Sequence, residues 1–426
     1  MFSRILNTFG TKAVSAVINL VIAILLSQYL GPAGKGIQSL ILTTITFILV
    51  FANLVGGATL VYLAPRHKAF LLAIPSYVWT LITGLTAFII LWFFPLIDRE
   101  YILHACILSV MNSFTSVHSS ILIGKEKIKT SNYIGLVQPV MLILALVIYF
   151  ITLKQVNVSA YIQSLYISFG AGLLASIIWF AKYCRPLRFH SMGEYLLVSK
   201  EMISFGILNQ IAHITQMLSF RLSYYVLNHY HGEAAVGVYS NGISLAESIW
   251  LIAKSISLVQ YARIANLNDR PTAAGFSVRL IRMSLAISVL IIVPLVLLPS
   301  GFYVFLFGKG FEGTSAVIRT LAAGVVFYNI SILIGHYFSG TGRYYVNAIT
   351  SSIGLIASIG LYYWLIPAFG QNGAGWATSI SYILTSMIFI VWFRQEYGRW
   401  YQMLIPQKED ISYLKKEILK LKGSKR

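Results

Sequence analysis

Seven ionisable side chains sit inside otherwise apolar stretches of this sequence: Lys12, His118, His213, Arg221, Glu247, Lys254 and His336. Their types set the chemistry on offer. Lysine, arginine and protonated histidine are donors that hold an anionic group by charge-assisted hydrogen bonds. Acid–base catalysis on a sugar or an ester needs a pair of carboxylates or a basic group within reach of one. The one acidic pair close in sequence, Asp98 and Glu100, lies two residues apart in a short connection. Cys106 and Cys184 stand far apart with no CxxC or Cys/His spacing, so they read as packing residues and not as a disulfide framework or a metal site. The residues point to binding and not to catalysis, with no catalytic residue, metal ligand or cofactor expected.

Charges inside apolar runs need elements that hold them against their cost, and the composition says what those elements are. The 426 residues are 57% hydrophobic and 11% charged, too few charges to clothe a water-soluble globule of this size. A lipid solvent asks for charge only at its two faces. A helix crossing the hydrocarbon core needs about 20 mostly apolar residues. Twelve runs meet that length: about 5 to 29, 37 to 63, 70 to 94, 101 to 123, 133 to 152, 160 to 181, 201 to 229, 236 to 262, 278 to 307, 314 to 338, 346 to 367 and 373 to 393. The predicted fold class is an all-α polytopic membrane protein of about twelve transmembrane helices. The first run has no small-residue cleavage site behind it and is expected to be kept as an uncleaved helix.

The net charge of +19 is carried in short clusters between the runs, not along one helix face with interleaved aromatics, so nucleic acid is not an expected partner. With the N-terminus inside, 24 of the 32 Lys and Arg residues fall on the cytoplasmic side, among them Arg66, Lys127, Arg188, Arg270 and Arg343. Lys35, Arg99, Lys154 and Lys309 fall in the outer loops. This positive-inside asymmetry predicts both termini in the cytoplasm. The longest internal connection separates two halves, giving residues 1–182 as an amino-terminal six-helix bundle, 183–200 as a cytoplasmic linker, 201–393 as a second six-helix bundle and 394–426 as a basic tail ending in KKEILKLKGSKR. Tyrosines and tryptophans fall mostly near run ends, where interfacial anchoring is their default role.

The halves repeat one another. YLGPAGKGIQS (Tyr29 to Ser39) and YHGEAAVGVYS (Tyr230 to Ser240) align at an offset of 201 with five identities in eleven positions. A weaker echo pairs Gly124, Lys127 and Ser131 with Gly340, Arg343 and Asn347. The two first helices leave the membrane on the same side, so the repeat is parallel, its pseudo-twofold axis along the membrane normal. Gly31, Gly34, Gly36, Gly232, Gly237, Gly370, Gly373 and Gly375 fall where helices must end, turn and pack, at places favouring positive φ or close backbone approach.

Four segments, LGPAGKGIQSL (Leu30 to Leu40), GVYSNGISLAESIW (Gly237 to Trp250), SGTGRYYVNAI (Ser339 to Ile349) and FGQNGAGWATSISY (Phe369 to Tyr382), carry a resemblance spanning the whole chain. The sequence resembles the Wzx-type polysaccharide (O-antigen and exopolysaccharide) flippases of the MOP superfamily, which also contains the MATE drug exporters and the lipid II flippases. The resemblance implies two six-helix bundles of MATE-like fold in a bacterial inner membrane. It implies a flippase that carries undecaprenyl-pyrophosphate-linked oligosaccharide repeat units from the cytoplasmic to the outer leaflet by alternating access, for surface polysaccharide biosynthesis. It also implies coupling to H+ or Na+ and contact with other polysaccharide-assembly proteins, and it places the first, second, seventh and eighth helices around the cavity.

A rise of about 1.5 Å per residue puts Lys12, His213 and Lys254 in one layer, about 26 to 27 Å below the outer face. Lys12 and His213 are repeat mates, since 12 + 201 = 213. A cationic layer near the inner mouth suits a pyrophosphate, and Lys12, His213, Arg221 and Lys254 are the expected substrate contacts. A second reading has Lys12 and Lys254 snorkel to the interface. Arg221 and Glu247 lie about 13 and 16 Å below the outer face on neighbouring helices, where Glu247 is expected to pair with Arg221 as a structural or coupling residue. His118 and His336 read as hydrogen-bonded helix contacts. Two other functions compete. A MATE-like small-molecule exporter would share the fold, but the cationic layer favours an anionic cargo. A polytopic polymerase or glycosyltransferase would need the active-site loops that this chain lacks.

Overall fold

The computed structural model of the chain describes residues 2–185, 189–264, 269–398, 400–405 and 407. Arg188 and the KKEILKLKGSKR stretch of the basic tail lie outside the described residues. Twelve α-helices are counted among those described: α1 (Phe2–Ala52), α2 (Gly57–Leu63), α3 (Ala69–Phe93), α4 (Arg99–Gly124), α5 (Ile128–Val147), α6 (Val158–Tyr183), α7 (Met192–Glu247), α8 (Trp250–Ile264), α9 (Arg270–Leu297), α10 (Ser300–Phe307), α11 (Thr314–Gly340) and α12 (Tyr344–Arg394).

The expected runs are helical, but breaks and joins fall elsewhere than one helix per run. Run one and the first part of run two are joined in α1, run seven and the first part of run eight in α7, and runs eleven and twelve in α12. Each join is a helix turned at one glycine: Gly31 (φ 68°, ψ −175°), Gly232 (φ 75°, ψ 178°) and Gly370 (φ 56°, ψ −133°). Side chains other than hydrogen rarely adopt this backbone. Eight helical stretches among the described residues are long and apolar enough to cross a membrane. Two of them, Gly10–Leu63 with 54 residues and Tyr344–Arg394 with 51, exceed by more than twofold the roughly 20 residues that one crossing takes. The chain is a multi-pass membrane protein. α7 is not among the eight, consistent with Lys200, Glu201, His213 and Arg221 along it.

Residues Met1–Ser240 with Tyr303–Glu312 make one compact unit, and Asn241–Phe302 with Gly313–Arg426 a second. In the first, Leu60, Leu63, Leu72, Ala73, Ile121 and Met202 form a core; in the second, Ile264, Ala273, Ala274, Ile281, Leu333 and Phe338 do so. Leu63 and Ile264, Leu72 and Ala273, and Ala73 and Ala274 are each 201 apart, so the offset first seen in the Gly-rich turns also relates the residues of the two cores.

Some of the other glycines mark close approaches between helical segments. A Cβ on Gly36 would stand 1.9 Å from the carbonyl oxygen of Glu233, and one on Gly237 2.0 Å from that of Pro32. Adding 201 to 36 and 32 gives 237 and 233, so these two approaches are one contact read from both sides of the pseudo-twofold axis. Gly373 meets the Leu365 carbonyl in the same way, and Gly375 the Thr320 hydroxyl, at 2.2 and 1.9 Å.

Candidate functional site

Run two, unbroken in sequence, is interrupted in the fold. α1 ends at Ala52, a 3-10 turn spans Asn53–Val55, and α2 starts at Gly57, which has φ 49°. A broken helix frees backbone carbonyls, and within an apolar environment they need partners. Gln210 Nε2 on α7 donates to the Val50 carbonyl at 2.8 Å, Trp79 Nε1 on α3 to that of Phe51 at 3.2 Å, and Ser76 Oγ to that of Val55 at 2.9 Å. Ser116 Oγ on α4 donates to Asn53 Oδ1 at 3.2 Å. Gly206 on α7 fits beside the break because it has no side chain: a Cβ there would be 1.8 Å from the Leu54 oxygen. Sequence reasoning missed this break, although the adjacent Gly56 and Gly57 inside an apolar run were its signal.

Lys12 on α1 and His213 on α7 belong to the same unit, and both are exposed. The turning glycines give them a common register: 31 − 12 and 232 − 213 are both 19, about 28 Å along each helix. Arg221, half-buried and two turns nearer Gly232, lays its guanidinium 5.5 Å from the centre of the Tyr224 ring. Tyr224 is itself buried and meets Tyr239 edge-on at 5.6 Å.

In the second unit Glu247 accepts a hydrogen bond from the Tyr382 hydroxyl at 2.8 Å. Tyr382, Tyr328 and Trp250 form a triangle of rings with centroids 4.8 to 5.3 Å apart, and the Trp250 indole N–H donates to the Val325 carbonyl at 2.9 Å. Lys254 is exposed, its ammonium 5.7 Å from the Trp250 ring centre. These aromatics are buried packing residues and not interfacial anchors, a correction to the default reading for this cluster. Hydropathy carries no depth within the helix packing from which to separate the two.

His118 and His336 are hydrogen-bonded to neighbouring helices, His336 through Ser257 Oγ on α8 at 3.4 Å. Ser176 Oγ donates to the Leu173 carbonyl at 2.8 Å, so the 2.8 Å contact between that oxygen and His118 Nδ1 is a donation from the ring. His118 Nε2 then accepts from the Tyr77 hydroxyl at 2.5 Å, fixing a neutral tautomer that ties α3, α4 and α6. His336 Nδ1 donates to the Ile332 carbonyl at 2.7 Å. Both cysteines are buried and free, as packing residues should be. Arg343, at the start of α12, and Glu396, past its end, form an ion pair at 2.6 Å, and the Tyr337 hydroxyl donates to the same carboxylate at 3.0 Å, closing one end of the second unit.

No protein-family model and no curated protein matches the sequence. The fold does match solved structures. A multidrug-resistance MATE transporter of the MOP superfamily in an inward-facing conformation superposes with a TM-score of 0.75 at 18% identity, over 91% of this chain and 96% of that one. The lipid II flippase MurJ in an inward closed conformation gives 0.66 at 17% identity, over 90% and 86%. A MOP transporter from Pyrococcus furiosus, described as having a binding pocket of reversed polarity, gives 0.62 at 16%, over 93% and 95%. The fold is therefore that of MOP-superfamily transporters. Proteins with this fold include both a multidrug-resistance transporter and a lipid II flippase.

Proposed function

We propose that this chain is a Wzx-type flippase that carries polyprenyl-pyrophosphate-linked oligosaccharide repeat units from the inner to the outer leaflet of a bacterial inner membrane by alternating access. The observation that carries the reading is the cationic register: Lys12 and His213 at equal distances from the turning glycines of two repeat-related helices, with Arg221 above His213 on α7 and no acidic residue anywhere in α1. An anionic head that sheds water needs donors of this kind, whereas a cationic drug needs carboxylates. Lys254 is proposed as the matching contact from the second unit. The two halves, divided at 183–200, are proposed to work as six-helix bundles, with H+ or Na+ as the coupling ion.

In cells lacking their own flippase, the chain should restore surface polysaccharide and clear lipid-linked repeat units from the inner leaflet. Resistance to cationic drugs without any change in polysaccharide would move the reading to a MATE-like exporter.

The proposed orientation puts both termini and the loops carrying Lys127 and Arg270 in the cytoplasm, and Lys154 and Gly370 outside. Reporter fusions at those four positions test it, and a swap between neighbouring sites would overturn the map.

The pairing of Arg221 with Glu247 is proposed from their depths. Glu247→Gln keeps an acceptor for Tyr382 and removes only the charge, so it isolates the pair. Stranding one charge of a buried pair costs about 3 to 5 kcal/mol. Folded protein in the membrane should fall in Glu247→Gln and recover in the double variant with Arg221→Gln. Normal levels of both single variants would exclude the pair.

A further inference from the structure

Lys35 falls in the LGPAGKG turn, where its charge reads as a loop charge. In the fold it is 7% exposed. Its Nζ donates to Gln38 Oε1, and Gln38 Nε2 donates to the Tyr161 hydroxyl on α6 at 3.2 Å. Ser39 Oγ donates to the Lys35 carbonyl at 2.9 Å. Gln38, Ser39 and Tyr161 are 4%, 6% and 1% exposed, so the whole cluster is dry. Tyr161 is the titratable group on α6, reaching Lys35 through Gln38, and the carboxyl groups at this end are Glu233 on α7, beside Gly36, and Asp98, to which Glu233 is hydrogen-bonded. The nearest charge in sequence on the α5 to α6 side, Lys154, is exposed in the connecting loop, and among the described residues no carboxylate forms an ion pair with Lys35. An ammonium here has lost its hydration in exchange for one neutral acceptor, which is costly. A neutral amine loses far less, and it can still donate to Gln38.

The closure over this cluster is local. Lys35 lies four residues past the turn at Gly31 and next to Gly36, whose backbone touches that of Glu233. Tyr29, at the same turn, packs on Phe150 with ring centroids 5.5 Å apart, and Phe150 is 2% exposed. Any parting of α1 from α5 and α6 at this end wets Lys35 and uncovers Phe150 together.

We propose that Lys35 is a proton-binding site that governs opening of the Gly31 end of the first unit. Burial pulls the pKa of the packed Lys35 ammonium down to about 8, so above that pH it is neutral against Gln38. It takes one proton from water as α1 parts from α6, and returns that proton to the same water when the contact closes. The sign follows from linkage. The open state binds a proton that the packed state does not, so acid favours opening, about tenfold per pH unit over the range where the ammonium forms only in the open state. The proposal holds whatever the cargo.

The test uses the full chain in liposomes, with Cys106 and Cys184 replaced by serine and Phe150→Cys as reporter. A membrane-impermeant methanethiosulfonate labels it at a series of pH values above about 8, where the packed lysine is neutral, with rates normalised to Lys154→Cys to remove the thiol's own pH dependence. The expected result is normalised labelling that rises about tenfold for each unit of acidification within that range. Lys35→Met should abolish the dependence and leave labelling slow. Lys35→Arg, charged at every pH, should leave it fast throughout. Tyr161→Phe, which keeps the lysine, should retain the pH dependence and serves as the folding control. Unchanged pH dependence in Lys35→Met overturns the proposal. So does wild-type labelling that follows chloride concentration instead of pH, which would make Lys35 an anion site.

Discussion

Replacing Lys12 with glutamine is expected to weaken cargo binding by about 1.5 to 3 kcal/mol, the size of one charge-assisted hydrogen bond, or about 10- to 150-fold in affinity. Glutamine keeps the length and a donor while deleting the charge, so the loss reports the electrostatic part alone. Lys12 and Lys254 are both exposed, and neither is needed for packing, so protein levels should hold while lipid-linked repeat units accumulate on the inner leaflet. Lys→Arg should keep more activity than Lys→Gln, because the charge and the donors survive. Lysines that only snorkel to the interface predict the opposite: glutamine tolerated at both positions. Full surface polysaccharide from the double variant Lys12→Gln with Lys254→Gln would remove the cationic layer from the mechanism.

The sequence made some of this architecture legible and hid the rest for physical reasons. The turns at Gly31, Gly232 and Gly370 were readable because positive φ selects glycine by residue type, and the repeat marked two of them twice. The contact of Gly36 and Gly237 was readable as close approach in kind, though not that the two glycines share one contact. The interruption at Asn53–Gly57 was hidden because hydropathy is blind to it: the residues remain apolar, and the partners that satisfy its carbonyls, Gln210, Trp79 and Ser76, come from distant positions. The burial of Lys35 was hidden for a related reason. A lysine beside a turn looks solvated, and only the packing of Gln38 against Tyr161, 123 residues away, takes the water from it. The common register of Lys12 and His213 was legible because it depends on helix rise and repeat offset, both fixed by the chain itself. Which rings anchor at an interface and which pack inside, as Trp250 and Tyr382 do, depends on neighbours that periodicity does not identify.

The second large effect is expected at the shared glycine contact. Gly237→Ala places a methyl group 2.0 Å from the Pro32 oxygen, far inside any carbon–oxygen contact, and the obstacle is backbone that no rotamer change can clear. The helices must separate, at about 3 kcal/mol or more, since overpacking a tight site commonly costs about 1 to 3 kcal/mol even where side chains can yield. Gly232→Ala tests a different mechanism five residues away. No heavy atom lies within 4 Å of its added Cβ, and the cost is the positive φ alone, about 1 to 3 kcal/mol. Gly10→Ala has neither problem: it is helical and open, and should be neutral or stabilising by up to about 1 kcal/mol. Thermal unfolding of the purified variants in detergent should therefore rank Gly237→Ala as least stable, then Gly232→Ala, then Gly10→Ala. Because Gly36 and Gly237 face each other across one contact, Gly36→Ala with Gly237→Ala should cost clearly less than the sum of the single changes: once the first methyl has forced the helices apart, the second finds room already made. Strict additivity would mean that the two glycines pack independently, and a Gly237→Ala variant as stable as the parent would mean that the backbones do not meet there.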